Sequence, residues 1–217
     1  MKRSIYIISA LFLFMSCEEA LVEKPKAIVS EQFYNTAGDL ETAVNAIFSP
    51  LQSNNCFGSL YPWQTEIYSD FQLGRGSYAV LNDYQGLDNT NISRIGSMWN
   101  QFYLAIRNAN LVIANAPDAS AASEEEITRY ISEAKFMRAF SYAAIIPYFG
   151  KLPLRTELNL SATEIPLSNS EDIYSLIFED LEYAEQHLPD EPSVAGRPTR
   201  WAAKTAIAHI YFIRGSY

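Results

Sequence analysis

Residues 133–154 have the sequence EAKFMRAFSYAAIIPYFGKLPL, which predicts a helix that is apolar on two sides. One apolar stripe extends from Ile127 to Ile145 at i, i+3, i+4, i+7 spacing, and Phe136, Phe140 and Ala143 form a second stripe. A helix with two apolar faces must be covered on both, so we expect other helices on either side of it. Pro147 lacks an amide hydrogen and clashes with the preceding turn, which predicts that the helix ends near Ile146.

Further helices are predicted on both sides of this segment from capping signals and apolar periodicity. Three Ser/Thr-x-x-acid capping boxes precede apolar runs, and proline is well suited to a first helical turn. The boxes are Thr36 to Asp39, Ser123 to Glu126 and Ser168 to Glu171. The predicted helices cover residues 37–52, 98–114, 123–146, 168–187 and about 198 to the end.

Residues 53–97 have no sustained period of 2 or 3.6 and mix Gly, Asn, Asp and Ser with aromatic residues, so we interpret them as long irregular loops. The pattern as a whole predicts an all-α fold of antiparallel helix pairs. Such pairs favour tetratricopeptide-like helical repeats of an α-solenoid, in which the loop from Lys151 to Asn169 breaks the 34-residue period. A solenoid needs a capping element after its last helix, so we expect this sequence to be the N-terminal part of a longer protein.

The N-terminus has the pattern of an export signal. Lys2 and Arg3 precede an apolar run of eleven residues, which is too short to span a bilayer and is followed by Ser16 and Cys17. A signal ending in Ser-Cys resembles a bacterial lipoprotein signal, which predicts cleavage after residues 1–16, acylation of Cys17 and a lipidated tether over residues 17–29. The acidic pair after Cys17 resembles the surface-export tag of Bacteroidetes lipoproteins. The alternative is an ordinary signal peptide with an incidental cysteine.

Composition excludes several classes of function. The chain has a net charge of −9 and no cluster of Lys or Arg, so a nucleic-acid partner is not expected. If Cys17 is acylated, Cys56 is the remaining thiol and no internal disulfide forms. His187 and His209 have no metal-ligand partner at i+4, and neither a metal nor another cofactor is expected.

Six segments, in order, resemble the SusD/RagB family of outer-membrane nutrient-binding lipoproteins. The most specific match is EAKFMRAF followed by YFGKLPL, which is similar to the family hallmark EA-x-F-x-RA and YG-x-x-PL. The other matching segments are 31–51, 66–70, 99–110, 173–189 and 196–203. They cover nearly all of the mature chain, although family members are usually about twice this long.

This resemblance implies a SusD-like N-terminal helical domain over residues 30–217, with the C-terminal half of the family absent. It implies a surface-exposed, lipid-anchored protein of the outer membrane that captures glycans or other nutrients. It also implies delivery of the ligand to a SusC-like TonB-dependent transporter, without catalysis.

The candidate ligand-binding residues lie in the aromatic-rich segment before the hallmark. Sugars present apolar C–H faces and hydroxyls, so a glycan site needs aromatic rings beside amide, carboxylate or guanidinium groups. The candidates are Tyr61, Trp63, Tyr68, Asp70, Phe71, Arg75, Tyr78, Asn82 and Tyr84. The competing interpretation is that these aromatic residues pack the loops onto the helices. Trp99 is expected to point inward, and Arg138 is expected to pair with a carboxylate.

Three other functions remain open at this stage. Glu66 and Asp70 could serve as the two carboxylates of a glycosidase. The chain could also be a tetratricopeptide-like scaffold that binds a protein partner, or a non-functional fragment of a SusD-like protein. Solvent-facing aromatic rings grouped on one surface favour glycan capture, whereas buried rings favour a scaffold.

Overall fold

The computed structural model describes residues 33–192 and 194–215, and within them the protein is almost entirely helical. Residues 34–217 form one compact unit. The α-helices are α1 (Ala37–Gln52), α2 (Leu60–Glu66), α3 (Ala79–Asn82), α4 (Asn89–Asn115), α5 (Glu124–Phe149), α6 (Ser170–His187) and α7 (Arg200–Arg214). Strands β1 (Leu152–Pro153) and β2 (Leu167–Ser168) pair antiparallel at the two ends of the loop between α5 and α6. The predicted signal, Cys17 and the tether lie outside the described residues.

Helix α5 is the centre of the fold and is covered on two sides, as its sequence predicts. It packs against α4 on one side and α6 on the other, while α1 contacts both α4 and α5 and α7 contacts α6. Ala134, Met137 and Ile145 of the first stripe are buried. The second stripe is only partly covered, because Phe136 packs against a buried cluster of α6 and α7 while Phe140 remains 39% exposed.

Capping explains where most helices begin. Thr36 and Ser123 each form the predicted capping box, and the Thr199 side chain accepts from the amide of Ala202 at the start of α7. The third predicted box is wrong, because Ser168 lies in β2 and the cap of α6 is Asn169. The Asn169 side chain accepts from the amide of Asp172 at 2.9 Å.

The predicted end of α5 is also wrong, since the helix continues through Pro147 to Phe149. Pro147 has no amide hydrogen, so the helix continues past it without the usual hydrogen bond to the carbonyl of Ala143. The carbonyl of the next residue, Ala144, accepts a hydrogen bond from the Tyr61 hydroxyl at 3.2 Å. The helix then ends at Gly150, whose φ of 69° suits a residue without a β-carbon.

Residues 53–97 are less irregular than their sequence predicts. They contain α2, α3 and the first nine residues of α4, which begins at Asn89 instead of Met98. Asp88 caps α4 by accepting from the amide of Asn91 at 2.8 Å. These first turns carry mostly polar side chains, so apolar periodicity could not reveal them.

A buried ion-pair cluster joins α4, α5, α6 and the loop that follows α5. The guanidinium of Arg138 is 1% exposed and donates from Nε and Nη2 to the two carboxylate oxygens of Asp180, at 2.7 and 2.9 Å. Its Nη1 donates to Asn110 at 2.6 Å and also contacts Glu157. The prediction that Arg138 pairs with a carboxylate is confirmed. Burial by itself would lower the pKa of Arg138, but the bonds and charges of Asp180 and Glu157 outweigh it and raise that pKa.

A second ion pair joins α5 to α1 and to the segment before α7. Arg197 donates to Glu133 at 2.6 Å and to Asn45 at 2.7 Å. Burial raises the pKa of Glu133, and the Arg197 charge opposes that rise only in part. Glu133 and Arg138 therefore join α5 to neighbouring elements, and Lys135 of the same segment does so too, because it donates to Asp180 of α6 at 3.1 Å.

No helix in the described part of the chain is both long enough and apolar enough to cross a membrane.

Candidate functional site

A polar cleft of about 630 Å³ lies where the segment after α1, the helix α2 and the first turns of α4 meet. We call it the polar cleft. Its lining residues carry mainly amide, hydroxyl and aromatic groups: Asn54, Asn55, Ser59, Leu60, Trp63, Tyr78, Asn89, Thr90, Ser93, Arg94 and Ser97.

Two aromatic rings and a guanidinium form one wall of the polar cleft. Trp63 is 46% exposed and meets Tyr78 edge to face, with 6.1 Å between ring centroids and 88° between the planes. Arg94 lies over the Tyr78 ring at 3.7 Å from its centroid. Arg94 also donates to Asn91 at 2.8 Å and to the hydroxyl of Ser77 at 2.7 Å, which fixes the guanidinium. This wall offers a sugar ring an apolar face beside hydrogen-bond donors.

The polar cleft is also lined by a row of polar side chains on α4. Asn89, Ser93 and Ser97 are spaced four residues apart, so they share one face of the helix. The hydroxyl of Ser93 donates to the carbonyl of Asn89 at 2.9 Å, and that of Ser97 donates to the carbonyl of Ser93 at 3.0 Å. Each hydroxyl oxygen keeps acceptor capacity for a ligand in the polar cleft.

Of the sequence-predicted binding residues, Trp63 and Tyr78 line the polar cleft, and a second pair lies outside its lining. Tyr68 and Tyr84 have ring centroids 5.8 Å apart, and the Tyr84 hydroxyl donates to the carbonyl of Tyr68 at 2.6 Å. Tyr84 is 72% exposed, and Phe71 is exposed as well. The exposed rings therefore form two groups rather than one continuous platform.

Two other candidates, Tyr61 and Asn82, make contacts within the protein. The Tyr61 ring packs at an angle against Phe57 and edge to face against Phe102, and its hydroxyl bonds to α5. Burial raises the pKa of Tyr61, and Tyr148 adds to the rise. The amide of Asn82 donates to the carbonyl of Ile67 at 2.6 Å and to that of Gln72 at 3.1 Å, and its oxygen accepts from Gly74. Tyr61 and Asn82 thus stabilise the conformation of the segment between α1 and α4.

The charged candidates do not line the polar cleft. Asp70 and Arg75 are exposed, as is Glu66, the second carboxylate considered for a glycosidase. Cys56 is buried, and burial raises its pKa to about 11, which suppresses the reactive thiolate. Among the described residues no group of three or more His, Cys, Asp or Glu side chains could hold a metal ion.

Sequence reasoning missed most of the hydrogen-bonding groups of the polar cleft, namely those of residues 54, 55, 59, 89, 90, 93, 94 and 97. The available signal was the i, i+4 spacing of Asn89, Ser93 and Ser97 after a capping Asp88. This spacing is a weak signal, because all three side chains are polar and apolar periodicity predicts loop for residues 89–97.

A family model described as starch-binding and associating with the outer membrane, SusD-like, matches residues 25–212. The chain belongs to the SusD-like family. The members of this family bind carbohydrates and are not enzymes.

Curated relatives of the SusD-like family cover nearly all of this chain. SusD-like protein P25 of Formosa agariphila is 31% identical, over 93% of this chain and 41% of that protein. A SusD-like protein of Bacteroides ovatus is 28% identical, over 100% of this chain and 40% of that protein. The chain therefore spans about two fifths of the length of the curated relatives it matches.

Solved structures share the helical, tetratricopeptide-like fold. A laminarin-binding SusD-like protein superimposes with a TM-score of 0.72 at 23% identity, over 84% of this chain and 41% of that one. This likeness confirms the predicted all-α fold class.

Proposed function

We propose that this chain captures glycans at the cell surface and that the polar cleft holds the sugar. The observation that carries the proposal is the half-exposed indole of Trp63, which lines the same cleft as the fixed guanidinium of Arg94 and the hydroxyl groups of Ser93 and Ser97. A sugar ring placed there would stack on carbon and satisfy its hydroxyls at the same time. The family supports this ligand class. In addition, a structure that is 29% identical to this chain, with a TM-score of 0.64 over 79% of this chain and 34% of that one, was solved with a xylogluco-oligosaccharide.

The polar cleft is lined entirely by residues 54–97. Its lining groups thus need no residue from the longer relatives. This argues against a non-functional fragment, because the cleft can form in the 217 residues. The exposed rings of Trp63, Tyr68 and Tyr84 lie in two groups, so it is the exposed ring of Trp63 in the polar cleft that favours ligand capture over a plain scaffold.

The cellular setting is part of the same proposal. Acylated Cys17 anchors the chain to the outer membrane, and the bound glycan passes to a SusC-like TonB-dependent transporter. Membrane fractionation and copurification with the transporter test this, with Cys17→Ser as the comparison. Release of the variant from the membrane is expected, and equal retention of both forms would overturn lipid anchoring.

A glycan array probed with the whole chain tests capture, followed by calorimetry with the best ligand. Trp63→Ala should weaken binding about tenfold, which corresponds to about 1.4 kcal/mol. Trp201→Ala is the matched control, because Trp201 is a similarly exposed indole on α7, outside the polar cleft. The absence of binding to any glycan, or equal losses in the two variants, would refute the proposed site.

A further inference from the structure

Arg94 is the one charged residue in the lining of the polar cleft, as far as the described part of the chain forms it. The other lining residues are neutral, and none of them is Asp or Glu. The protein as a whole has a net charge of −9, so a cleft without acidic groups around an arginine is not what its composition predicts. The charge of the polar cleft is therefore opposite in sign to that of the chain.

The guanidinium of Arg94 is held by neutral groups. It donates from Nη1 to Oδ1 of Asn91 at 2.8 Å and from Nη2 to the hydroxyl of Ser77 at 2.7 Å, and it lies over the Tyr78 ring. Among the described residues Arg94 forms no ion pair with a carboxylate, whereas the buried Arg138 forms two. The positive charge in the polar cleft is therefore fixed in position without being neutralised.

Asn91 positions Arg94 without cancelling its charge. Asn91 is 0% exposed, and its side-chain NH₂ group donates to the carboxylate of Asp88 at 2.9 Å and to the carbonyl of Ser77 at 2.8 Å. With the NH₂ group engaged in this way, the amide oxygen is left to accept from Arg94. Asp88 also accepts from the backbone amide of Asn91, and it does not line the polar cleft. This carboxylate thus orients Asn91 instead of pairing with Arg94.

Hydrogen-bond donors remain available around this charge. A guanidinium carries five N–H donors, and the bonds to Asn91 and Ser77 use only part of them. Side-chain amides in the lining also make no hydrogen bond within residues 33–192 and 194–215, namely those of Asn54, Asn55 and Asn89. An anionic oxygen bound here would accept charge-assisted hydrogen bonds, which are about twice as strong as neutral ones.

A neutral sugar would leave this charge without a partner. A ligand that stacks on Trp63 would cover part of the Arg94 guanidinium and remove water from it. Removing water from a charge costs free energy unless a counter-charge replaces it. A carboxylate or a sulfate on the sugar supplies that counter-charge, and its oxygens match the geometry of a guanidinium.

We propose that the polar cleft binds a glycan whose sugars carry an anionic group, a carboxylate or a sulfate, and that Arg94 contacts this group while Trp63 stacks on the sugar ring. This inference rests on the proposed capture of glycans at the same site and names the class of glycan captured.

A glycan array of matched charged and neutral polymers tests the proposal on the whole chain. The charged polymers are polygalacturonate, alginate, κ-carrageenan and chondroitin sulfate. Each is paired with its methyl-esterified or desulfated form, and starch and xyloglucan are added as neutral glycans. In at least one pair the charged member should bind roughly tenfold more tightly than its neutral form, measured by calorimetry, which corresponds to about 1.4 kcal/mol. The pair that shows the preference tells whether a carboxylate or a sulfate is recognised.

Substitutions of Arg94 assign the preference to the polar cleft. Arg94→Gln should bring the ratio of the two affinities close to one, and Arg94→Lys, which keeps the charge, should retain part of the preference. Arg75→Gln is the matched control, because Arg75 is an exposed arginine of the same segment outside the lining. It should keep the full ratio. The ratio for the unsubstituted chain needs no variant, so the test stands even if Arg94→Gln does not fold.

Three results would overturn this proposal and leave glycan capture intact. The first is equal binding of the charged and neutral members of every pair. The second is binding confined to neutral glycans. The third is an equal loss of the preference in Arg94→Gln and Arg75→Gln, because the preference would then follow from the net charge of the chain. The absence of binding to any glycan would instead refute the proposed function and this inference together.

Discussion

Neutralising Asp180 should destabilise the fold far more than neutralising an exposed carboxylate in a similar ion pair. Asp180 is 0% exposed and accepts three charged hydrogen bonds, two from Arg138 and one from Lys135 at 3.1 Å. In Asp180→Asn one of the two acceptor oxygens becomes an NH₂ group, which faces a donor whichever way the amide is turned. Arg138 is left buried with a weakened set of partners.

The magnitude follows from the number of bonds. An NH₂ group cannot accept a hydrogen bond, so at least one of the three bonds is lost outright and the others are weakened, and a hydrogen bond to a charged group contributes about 1.5–3 kcal/mol. Asp180→Asn should therefore lower the free energy of unfolding by about 3–4 kcal/mol, within the range found when one partner of a buried pair is removed. For a domain of this size the melting temperature should fall by roughly 10 °C.

Glu171→Gln is the matched control. Glu171 accepts from Nη2 of Arg214 with both oxygens, at 2.6 and 2.8 Å, but its side chain is 74% exposed. Water screens such a pair, so the control should cost less than about 1 kcal/mol. Urea unfolding followed by circular dichroism at 222 nm measures both variants. Equal losses of unfolding free energy in the two variants, or a loss below about 1 kcal/mol for Asp180→Asn, would refute the conclusion that the buried ion-pair cluster is a major source of stability.

Two further predictions concern acid stability and capping. Burial raises the pKa of Glu157, but Arg138 outweighs it and the net pKa is lowered, so its stabilisation is present above the ordinary glutamate pKa and is lost as the pH falls through the lowered value. The destabilisation by Glu157→Gln should therefore be clear at pH 7 and diminish as the pH falls below the ordinary glutamate pKa of about 4.3, and a penalty that does not diminish in acid would contradict this sign. Asn169→Ala removes a helix cap and should lower the free energy of unfolding by about 1 kcal/mol. Ser168→Ala, at the position that the sequence pattern favours as the cap, should lower it by less than about 0.5 kcal/mol in the same urea titration. A larger loss in Ser168→Ala than in Asn169→Ala would show that Ser168 is the cap.

Local signals in the sequence were sufficient for most of the helical framework. Thr36 and Ser123 cap their helices where the pattern predicts, because a capping box involves only residues three positions apart. Pro147 shows where local reasoning fails. The helix continues through the proline to Phe149, and the turn before it is contacted by Tyr61, whose hydroxyl donates to the carbonyl of Ala144 from more than eighty residues earlier in the chain. The sequence near the proline contains no sign of that contact.

The candidate site depended more strongly on tertiary structure. Aromatic composition directed attention to Trp63 and Tyr78, but the hydrogen-bonding groups around them come from the segment after α1 and from the start of α4. Tyr61, which has the same composition signal, turns inward to pack on Phe57 and Phe102. Side-chain direction in irregular segments is set by neighbours distant in the chain, and periodicity carries no information about it.

The sequence by itself determined the family, the helical class and the need to cover two faces of α5, because these follow from motifs, caps and apolar spacing along one segment. Only the tertiary structure decided that Asp180 and Glu157 are the carboxylates of Arg138, since the acidic composition offers many candidates and geometry selects among them. It likewise decided that the second stripe of α5 stays partly open, with Phe136 packed and Phe140 exposed, because the covering of a helix face depends on how distant segments pack against it.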